Sequence, residues 1–155
     1  LWILLCMPYP ILITAFGYGV LKSSGQNKKL HTAGILLLIY GATGLLWMFA
    51  LMHLREDLAA GRGTFSDTMH LILAGVTEVI YLSAFVLAAL TLNRGFRIYS
   101  TITFILLMFF GILTFREAPG VSANLPTPYI GLWERINIGL FLLWIIVLAK
   151  TLQRK

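Results

Sequence analysis

Five long apolar runs constrain this chain more than any other feature. They cover residues 1–21, 33–52, 69–92, 98–115 and 130–149. Each run is close to the roughly 20 residues that a helix needs to cross about 30 Å of hydrocarbon. The runs are continuous and do not alternate between apolar and polar residues, which argues against the strands of a membrane barrel. We therefore predict an all-α integral membrane protein, a single bundle of five transmembrane helices over residues 1–155.

Small residues within the runs mark positions where two helices can approach closely. These positions are Gly17, Gly19, Gly41, Gly44, Ala84, Ala88, Gly131 and Gly139. We expect them to pack helices together and to take no part in a site.

The charges between the runs predict an orientation. Eight basic residues and no acidic residue follow the first, third and fifth runs: Lys22, Lys28, Lys29, Arg94, Arg97, Lys150, Arg154 and Lys155. Charges in the connections 53–68 and 116–129 nearly cancel. Because Lys and Arg in short loops stay cytoplasmic, we expect these two connections to be extracytoplasmic and the C-terminus to be cytoplasmic. The basic residues form no stripe outside these loops, so we expect the lipid bilayer, and no nucleic acid, as a partner.

A polar hairpin, HLREDLAAGRGTFSDTMH at residues 53–70, holds half of the chain's six acidic residues and two of its three histidines. Its simplest interpretation is structural. Ser66 or Asp67 can cap the N-terminus of the third span, where free amides and the helix dipole favour such side chains. Arg55 and Glu56 can pair at the mouth of the hairpin.

A metal site is the more specific functional alternative for this hairpin. His53, Asp67 and His70 are the ligand types that zinc prefers. The spacing matches no compact metal motif, however, and the chain also has no GxSxG sequence. We therefore predict no catalytic residue, no metal and no cofactor, and expect a bound lipid as the associated small molecule. A zinc-dependent lipid hydrolase at the outer leaflet stays open as an alternative.

One face of the third span carries a stripe of polar residues: Asp67, His70, Thr77, Glu78 and Tyr81. Glu78 lies nine residues after Met69, about 13–14 Å into the membrane at 1.5 Å per residue. An ionisable group at that depth is a functional hypothesis by default. We expect the stripe to face the interior of the bundle.

Two polar residues of the last span complete the candidate site. Arg135 lies about 7–8 Å inside the start of that span and is long enough to reach towards Glu78. A bridge between Glu78 and Arg135, with Asn137 beside it, would hold the third and fifth spans in register. The same residues could instead line a vestibule that binds a lipid headgroup or a small polar solute.

Four short motifs carry a resemblance to a known family. They are Met52-His53-Leu54-Arg55-Glu56, Ser66-Asp67-Thr68-Met69-His70, Leu125-Pro126-Thr127-Pro128 and Glu134-Arg135-Ile136-Asn137. In these segments the chain resembles the bacterial multi-pass membrane family called domain of unknown function 998. The resemblance implies a helical membrane fold and a place in the bacterial cytoplasmic membrane, and it implies no activity. Members that resemble this chain usually carry a further N-terminal helix before the position of Leu1, so that helix is an expected partner.

The sequence thus predicts a membrane protein of unassigned activity. We expect a non-catalytic structural or accessory subunit of a membrane complex, with an extracytoplasmic polar vestibule. The alternatives are a protein that binds or transports a lipid headgroup or small polar solute, and the zinc hydrolase. Other membrane-protein subunits are the partners that the first of these roles requires.

Overall fold

The computed structural model describes residues 7–153, and every regular element in that range is helical. The α-helices are α1 Pro8–Lys22, α2 Lys28–Thr43, α3 Arg55–Ala59, α4 Phe65–Ala89, α5 Arg94–Ser122 and α6 Ile130–Gln153. A 3-10 helix, Gly44–Phe49, continues α2. The prediction of an all-α fold is therefore confirmed.

Four helical stretches in residues 7–153 are long and apolar enough to cross a membrane. They are Lys28–Phe49, Phe65–Ala89, Arg94–Ser122 and Ile130–Gln153. The first predicted span, residues 1–21, is represented by the 15 residues of α1, because residues 1–6 lie outside the described range. The chain is thus a multi-pass membrane protein with four spans in the described range, and the fifth stays a prediction.

The helices extend beyond the apolar runs that predicted them. Helix α4 begins at Phe65 and not at residue 69. Helix α5 runs to Ser122 and contains Pro119, which the sequence had suggested was part of the connection 116–129. An apolar run marks the segment in hydrocarbon, whereas backbone hydrogen bonds can continue a helix into the polar interface.

The chain groups into two compact units. In the described range, unit 1 comprises residues 7–52 and 64–93, and unit 2 comprises residues 53–63 and 94–153. Unit 1 therefore contains α1, α2, the 3-10 helix and α4, while unit 2 contains α3, α5 and α6. The expectation of a single bundle concerns how these units are arranged, and it stays a prediction.

Helices α1 and α2 of unit 1 pack backbone against backbone. A Cβ atom on Gly34 would lie 2.6 Å from the Leu21 nitrogen, and one on Gly41 would lie 2.5 Å from the Thr14 nitrogen. A Cβ atom on Gly17 would clash in the same way with Leu38. Close approach at Gly17 and Gly41 was predicted and is confirmed.

A Cβ atom on Gly44 would also lie close to α1, 2.7 Å from the Pro10 Cβ, but three other predicted packing glycines meet no second helix of their own unit among the described residues. A Cβ atom on Gly19 or on Gly139 would have no neighbour within 4 Å. Gly131 makes room for a side chain of its own helix, because a Cβ atom there would lie 2.7 Å from the Arg135 Nη1. Glycine content alone does not separate a helix contact from a lipid-facing position.

Helices α5 and α6 of unit 2 pack through large side chains. Trp144, fully buried, donates a hydrogen bond from its indole nitrogen to the Ser100 hydroxyl at 2.9 Å. The rings of Phe96 and Phe141 pack on the same indole, with centroids 6.0 Å and 6.2 Å away. The core of unit 2 is therefore centred on one aromatic residue whose polar atom is satisfied.

Candidate functional site

The first turn of α4 is closed by a capping box. Thr64 is the N-cap, and its hydroxyl accepts a hydrogen bond from the Ser66 amide. The Asp67 carboxylate accepts the Thr64 amide at 2.6 Å, and Asp67 is 7% exposed. The prediction that Ser66 or Asp67 caps this helix is confirmed for Asp67, which is the third helical residue of the capping box, whereas the N-cap residue itself is Thr64, two residues before Ser66. The Asp67 carboxylate therefore serves to cap the helix.

Two side chains of α4 form hydrogen bonds to the segment that follows the 3-10 helix. The Ser66 hydroxyl donates to the Leu51 carbonyl at 2.7 Å. The His70 Nδ1 lies 2.9 Å from the Ala50 carbonyl oxygen. The Trp47 ring meets the His70 ring edge to face, with centroids 4.8 Å apart. This segment, which has no regular secondary structure, is therefore held in place by hydrogen bonds from α4.

Beside His70, unit 1 contains an open cleft of about 210 Å³, which we call the His70 cleft. It is lined by Met7, Pro10, Gly44, Leu45, Trp47, Met48, Ala50, Leu51, Met52 and His70. Among the described residues, His70 is the only titratable side chain in this lining. The other lining residues are largely apolar and include three methionines.

The hairpin charges form pairs other than the predicted one. Arg55, expected to pair with Glu56, donates instead to the Leu125 carbonyl at 3.1 Å and to the Thr127 hydroxyl at 2.9 Å. Arg62 pairs with Asp57 at 2.6 Å on the surface. Arg55 and Thr127 belong to two of the four motifs that carry the family resemblance. Their hydrogen bond gives these motifs a structural role within unit 2.

Deeper in unit 1, four side chains from three helices form what we call the tyrosine–glutamate cluster: Tyr9, Tyr40, Tyr81 and Glu78. The hydroxyl oxygens of Tyr9 and Tyr40 are 2.8 Å apart. The Tyr81 hydroxyl donates to the Glu78 Oε1 at 2.9 Å. The rings of Tyr40 and Tyr81 meet edge to face, with centroids 5.8 Å apart. Helices α1, α2 and α4 thus bring three phenols and one carboxyl group together.

Two members of the cluster, Glu78 and Tyr40, lie near the middle of their helical stretches, whereas Tyr9 is the second residue of α1. Glu78 is thirteen residues from the start of the 25-residue helix α4 and one residue past its midpoint. At 1.5 Å per residue it lies about 20 Å from that start, further than the distance of about 13–14 Å counted from Met69, because α4 begins four residues earlier. Tyr40 is within two residues of the midpoint of the 22-residue stretch Lys28–Phe49. Both residues therefore lie near the middle of stretches that are long and apolar enough to cross a membrane.

The remaining predicted site residues bond to backbone. Thr77 is buried and donates to the Leu73 carbonyl at 2.6 Å. Arg135 donates to the Gly131 carbonyl of its own helix at 2.6 Å.

Asn137 lies beside α5. In the amide orientation that satisfies both groups, its nitrogen donates to the Leu107 carbonyl and its oxygen accepts the Gly111 amide, each at 3.1 Å. Asn137 is thus a polar link between α5 and α6. The bridge between Glu78 and Arg135 would join residues of different units, and it stays a prediction.

The zinc-site alternative needs ligands from both units, and it stays a prediction. Across residues 7–153, no three His, Cys, Asp or Glu side chains are grouped so that they could hold a metal ion. Asp67 and His70 lie one helical turn apart in unit 1, but both bond to backbone groups. His53 belongs to unit 2.

Sequence reasoning missed Tyr9 and Tyr40, the outer members of the tyrosine–glutamate cluster. Tyr40 could have been noticed in the sequence. Tyrosine in membrane helices is enriched at the two interfaces, so a tyrosine near the middle of a span is unusual. Tyr9 could not have been noticed in this way, since a tyrosine near the beginning of an apolar run fits the interfacial belt.

Comparison with known proteins identifies a family and no activity. Residues 1–151 match the family described as "Protein of unknown function (DUF998)". No curated protein and no solved structure gives a significant match. The family match covers all of the described helices except the last two residues of α6. This chain is therefore a member of the DUF998 family of proteins of unknown function.

Proposed function

We propose that this protein is a non-catalytic accessory subunit of a membrane complex, and that Glu78 receives a positively charged side chain from a transmembrane helix of a partner. The observation that carries the proposal is the incomplete hydrogen bonding of Glu78. Its carboxyl group has one hydrogen-bond donor in the described range, the Tyr81 hydroxyl. An ionised carboxylate has about four acceptor positions, and water is scarce at the depth of Glu78.

The surroundings of Glu78 favour a cation. Tyr81 and Tyr40 supply ring faces and hydroxyl oxygens, both of which attract positive charge. Glu78 itself is half-buried, so a group from outside unit 1 can reach it. The His70 cleft is not lined by Glu78 or Tyr81, which favours a side chain that arrives on a helix over a solute enclosed in that cleft. Intramembrane acidic and basic residues of different helices commonly pair.

Site-specific photocrosslinking tests this proposal. A photoreactive amino acid at Leu82, one helical turn from Glu78, should crosslink to a partner peptide that carries a Lys or Arg within an apolar segment. The same amino acid at Ile72, a lipid-exposed position of α4, is the matched control and should give no such product. Crosslinks at Leu82 only to lipid or to residues of the same chain, including Arg135, would contradict the accessory role.

An ammonium group of a solute or lipid is the second candidate for the same site. The tyrosine that bonds the Glu78 carboxyl, Tyr81, and the ring of Tyr40 against it favour this candidate, because aromatic rings beside a carboxyl group bind ammonium ions. Equilibrium dialysis with radiolabelled methylammonium distinguishes this source. Binding that is lost in Glu78→Gln, together with no partner crosslink, would replace the accessory role by solute binding.

The charge distribution supports a further part of the proposal, the orientation in the bacterial cytoplasmic membrane. The connections that lack acidic residues are placed in the cytoplasm together with the C-terminus, and residues 53–68 and 116–129 are placed outside. A green fluorescent protein fused to the C-terminus should fluoresce, and alkaline phosphatase fused there should be inactive. The reverse pattern would overturn this orientation.

A further inference from the structure

Methionines are concentrated in the lining of the His70 cleft. Three of the chain's five methionines, Met7, Met48 and Met52, line it together with His70. The three methionines come from three segments of unit 1: the residue before α1, the 3-10 helix and the irregular backbone after it. All four side chains are half-buried. Three thioethers and an imidazole therefore share one apolar, partly open space.

His70 is oriented as a metal-binding histidine usually is. Its Nδ1 lies 2.9 Å from the Ala50 carbonyl oxygen. Because a carbonyl only accepts, Nδ1 must carry the proton, and Nε2 of the neutral ring then presents a lone pair. The described residues place no hydrogen-bond donor on that Nε2. A backbone carbonyl that fixes the tautomer in this way is typical of the outer shell of a metal site.

The segment that carries two of the thioethers is fixed in advance. Met48 and Met52 flank Ala50 and Leu51, whose carbonyls accept hydrogen bonds from His70 and Ser66 respectively. Ordering this segment would otherwise oppose ligand binding through lost conformational entropy. The protein's own contacts from α4 order this segment.

The chemistry of the lining selects the kind of ion. The described residues of the lining include no carboxylate and no thiolate, so the magnesium, calcium and zinc ions that prefer those ligands are disfavoured. Thioether and imidazole ligands are neutral and polarisable, and thioethers select soft ions such as Cu(I). A monovalent ion also costs less to transfer into an apolar cleft than a divalent one. The Trp47 ring, which lines the same cleft, adds a face that attracts cations.

We infer that the His70 cleft is a site for a soft monovalent metal ion, Cu(I) or its analogue Ag(I), with Met7, Met48, Met52 and the Nε2 of His70 as the ligands. This inference is independent of the proposed role of Glu78. The competing explanation is that methionines fill an irregular apolar cleft because their side chains are flexible.

The test is Ag(I) binding to the full chain purified in detergent, measured by equilibrium dialysis with elemental analysis in chloride-free buffer. All variants are made in a Cys6→Ser background, so that a thiol does not contribute. We expect about one Ag(I) per chain in this background. Replacing Met7, Met48 and Met52 together by Leu should weaken binding at least tenfold, because Leu keeps the apolar volume and removes the sulfur.

Two further variants separate ligation from packing. His70→Asn should also weaken binding, because its side-chain amide can still donate to the Ala50 carbonyl but offers no ring nitrogen. Met69→Leu and Met108→Leu are matched controls, since neither methionine lines the cleft, and both should bind Ag(I) as the background does. Less than about one tenth of an ion per chain in the Cys6→Ser background, or unchanged affinity in the triple Leu variant, would overturn the inference.

Discussion

Helices pack against each other in opposite ways in units 1 and 2. In unit 1, α1 and α2 meet where side chains are missing, at Gly34 and Gly41. In unit 2, α5 and α6 meet around the largest side chain available, Trp144. The first arrangement should tolerate no added atoms, and the second should tolerate no removed ones.

The units also differ in how their polar groups are satisfied. Asn137 and Ser100 of unit 2 have their hydrogen-bonding groups used by the neighbouring helix. Glu78 of unit 1 has one donor in the described range. A polar residue in a membrane helix connects two helices when the protein satisfies its hydrogen bonds, and it is a candidate binding site when the protein leaves some of them unmade. Residue type alone does not distinguish these two roles.

Removing the indole of unit 2 should have the largest effect. Trp144→Ala should lower the free energy of unfolding by about 3–5 kcal/mol, because it leaves a cavity and an unpaired Ser100 hydroxyl. Denaturant titration of the protein in mixed micelles measures this loss. Trp133→Ala is the control, since Trp133 is half-exposed, and its loss should be clearly smaller. Equal losses would show that Trp144 is not the centre of unit 2.

Adding atoms at the glycine contact of unit 1 should come next. Gly41→Leu should lower the free energy of unfolding by about 3 kcal/mol, because its Cβ would meet the backbone of Thr14. Gly139→Leu, where the Cβ has open space, should leave stability unchanged or slightly raised in the same titration. If Gly41→Leu behaved like Gly139→Leu, the backbone contact between α1 and α2 would be wrong.

The capping box offers a smaller test of unit 1. Thr64→Ala should destabilise α4 by about 1 kcal/mol, because it removes the acceptor for a free amide of the first turn. Faster hydrogen exchange should appear at the amides of that turn and not in the middle of α4. Thr68→Ala, an exposed threonine one turn further on, should leave those rates unchanged. Accelerated exchange in both variants would assign the effect to threonine loss in general.

The smallest effects compare the two polar groups directly. Asn137→Leu should lower the free energy of unfolding by about 0.6 kcal/mol, a usual value for a hydrogen bond between membrane helices. Glu78→Gln should change the stability of the isolated chain by less than this, because the amide oxygen still accepts from Tyr81. A larger loss for Glu78→Gln than for Asn137→Leu would make Glu78 a structural link and not a site.

Much of the fold could be predicted from the sequence. Helix-length apolar runs near 33–52, 69–92, 98–115 and 130–149 each correspond to a described helix, because the length of a span is set by the thickness of the bilayer. The first and last residues of the helices could be predicted less accurately. The capping box at Thr64 and Asp67 starts α4 in polar sequence, where hydropathy gives no signal.

The candidate site was predicted less completely, for a physical reason. Helical periodicity showed that Glu78 and Tyr81 share a face, since that relation is local. It could not show that Tyr40 of α2 meets Tyr81 or that Tyr9 meets Tyr40, because those contacts depend on how α1, α2 and α4 pack. Thr77 and Asn137 looked like site residues because their bonds to backbone carbonyls are invisible in a sequence.

The central claim is that Glu78 binds a partner's positive charge inside the membrane. It is tested most directly by the molar ratio of a transmembrane partner that co-purifies with the tagged chain from its native membranes. The account predicts an equimolar partner for the wild-type chain and for Glu134→Gln, an exposed glutamate of α6, and at least a tenfold loss for Glu78→Gln. An equal amount of partner in all three preparations, or no stoichiometric partner in any, would contradict it.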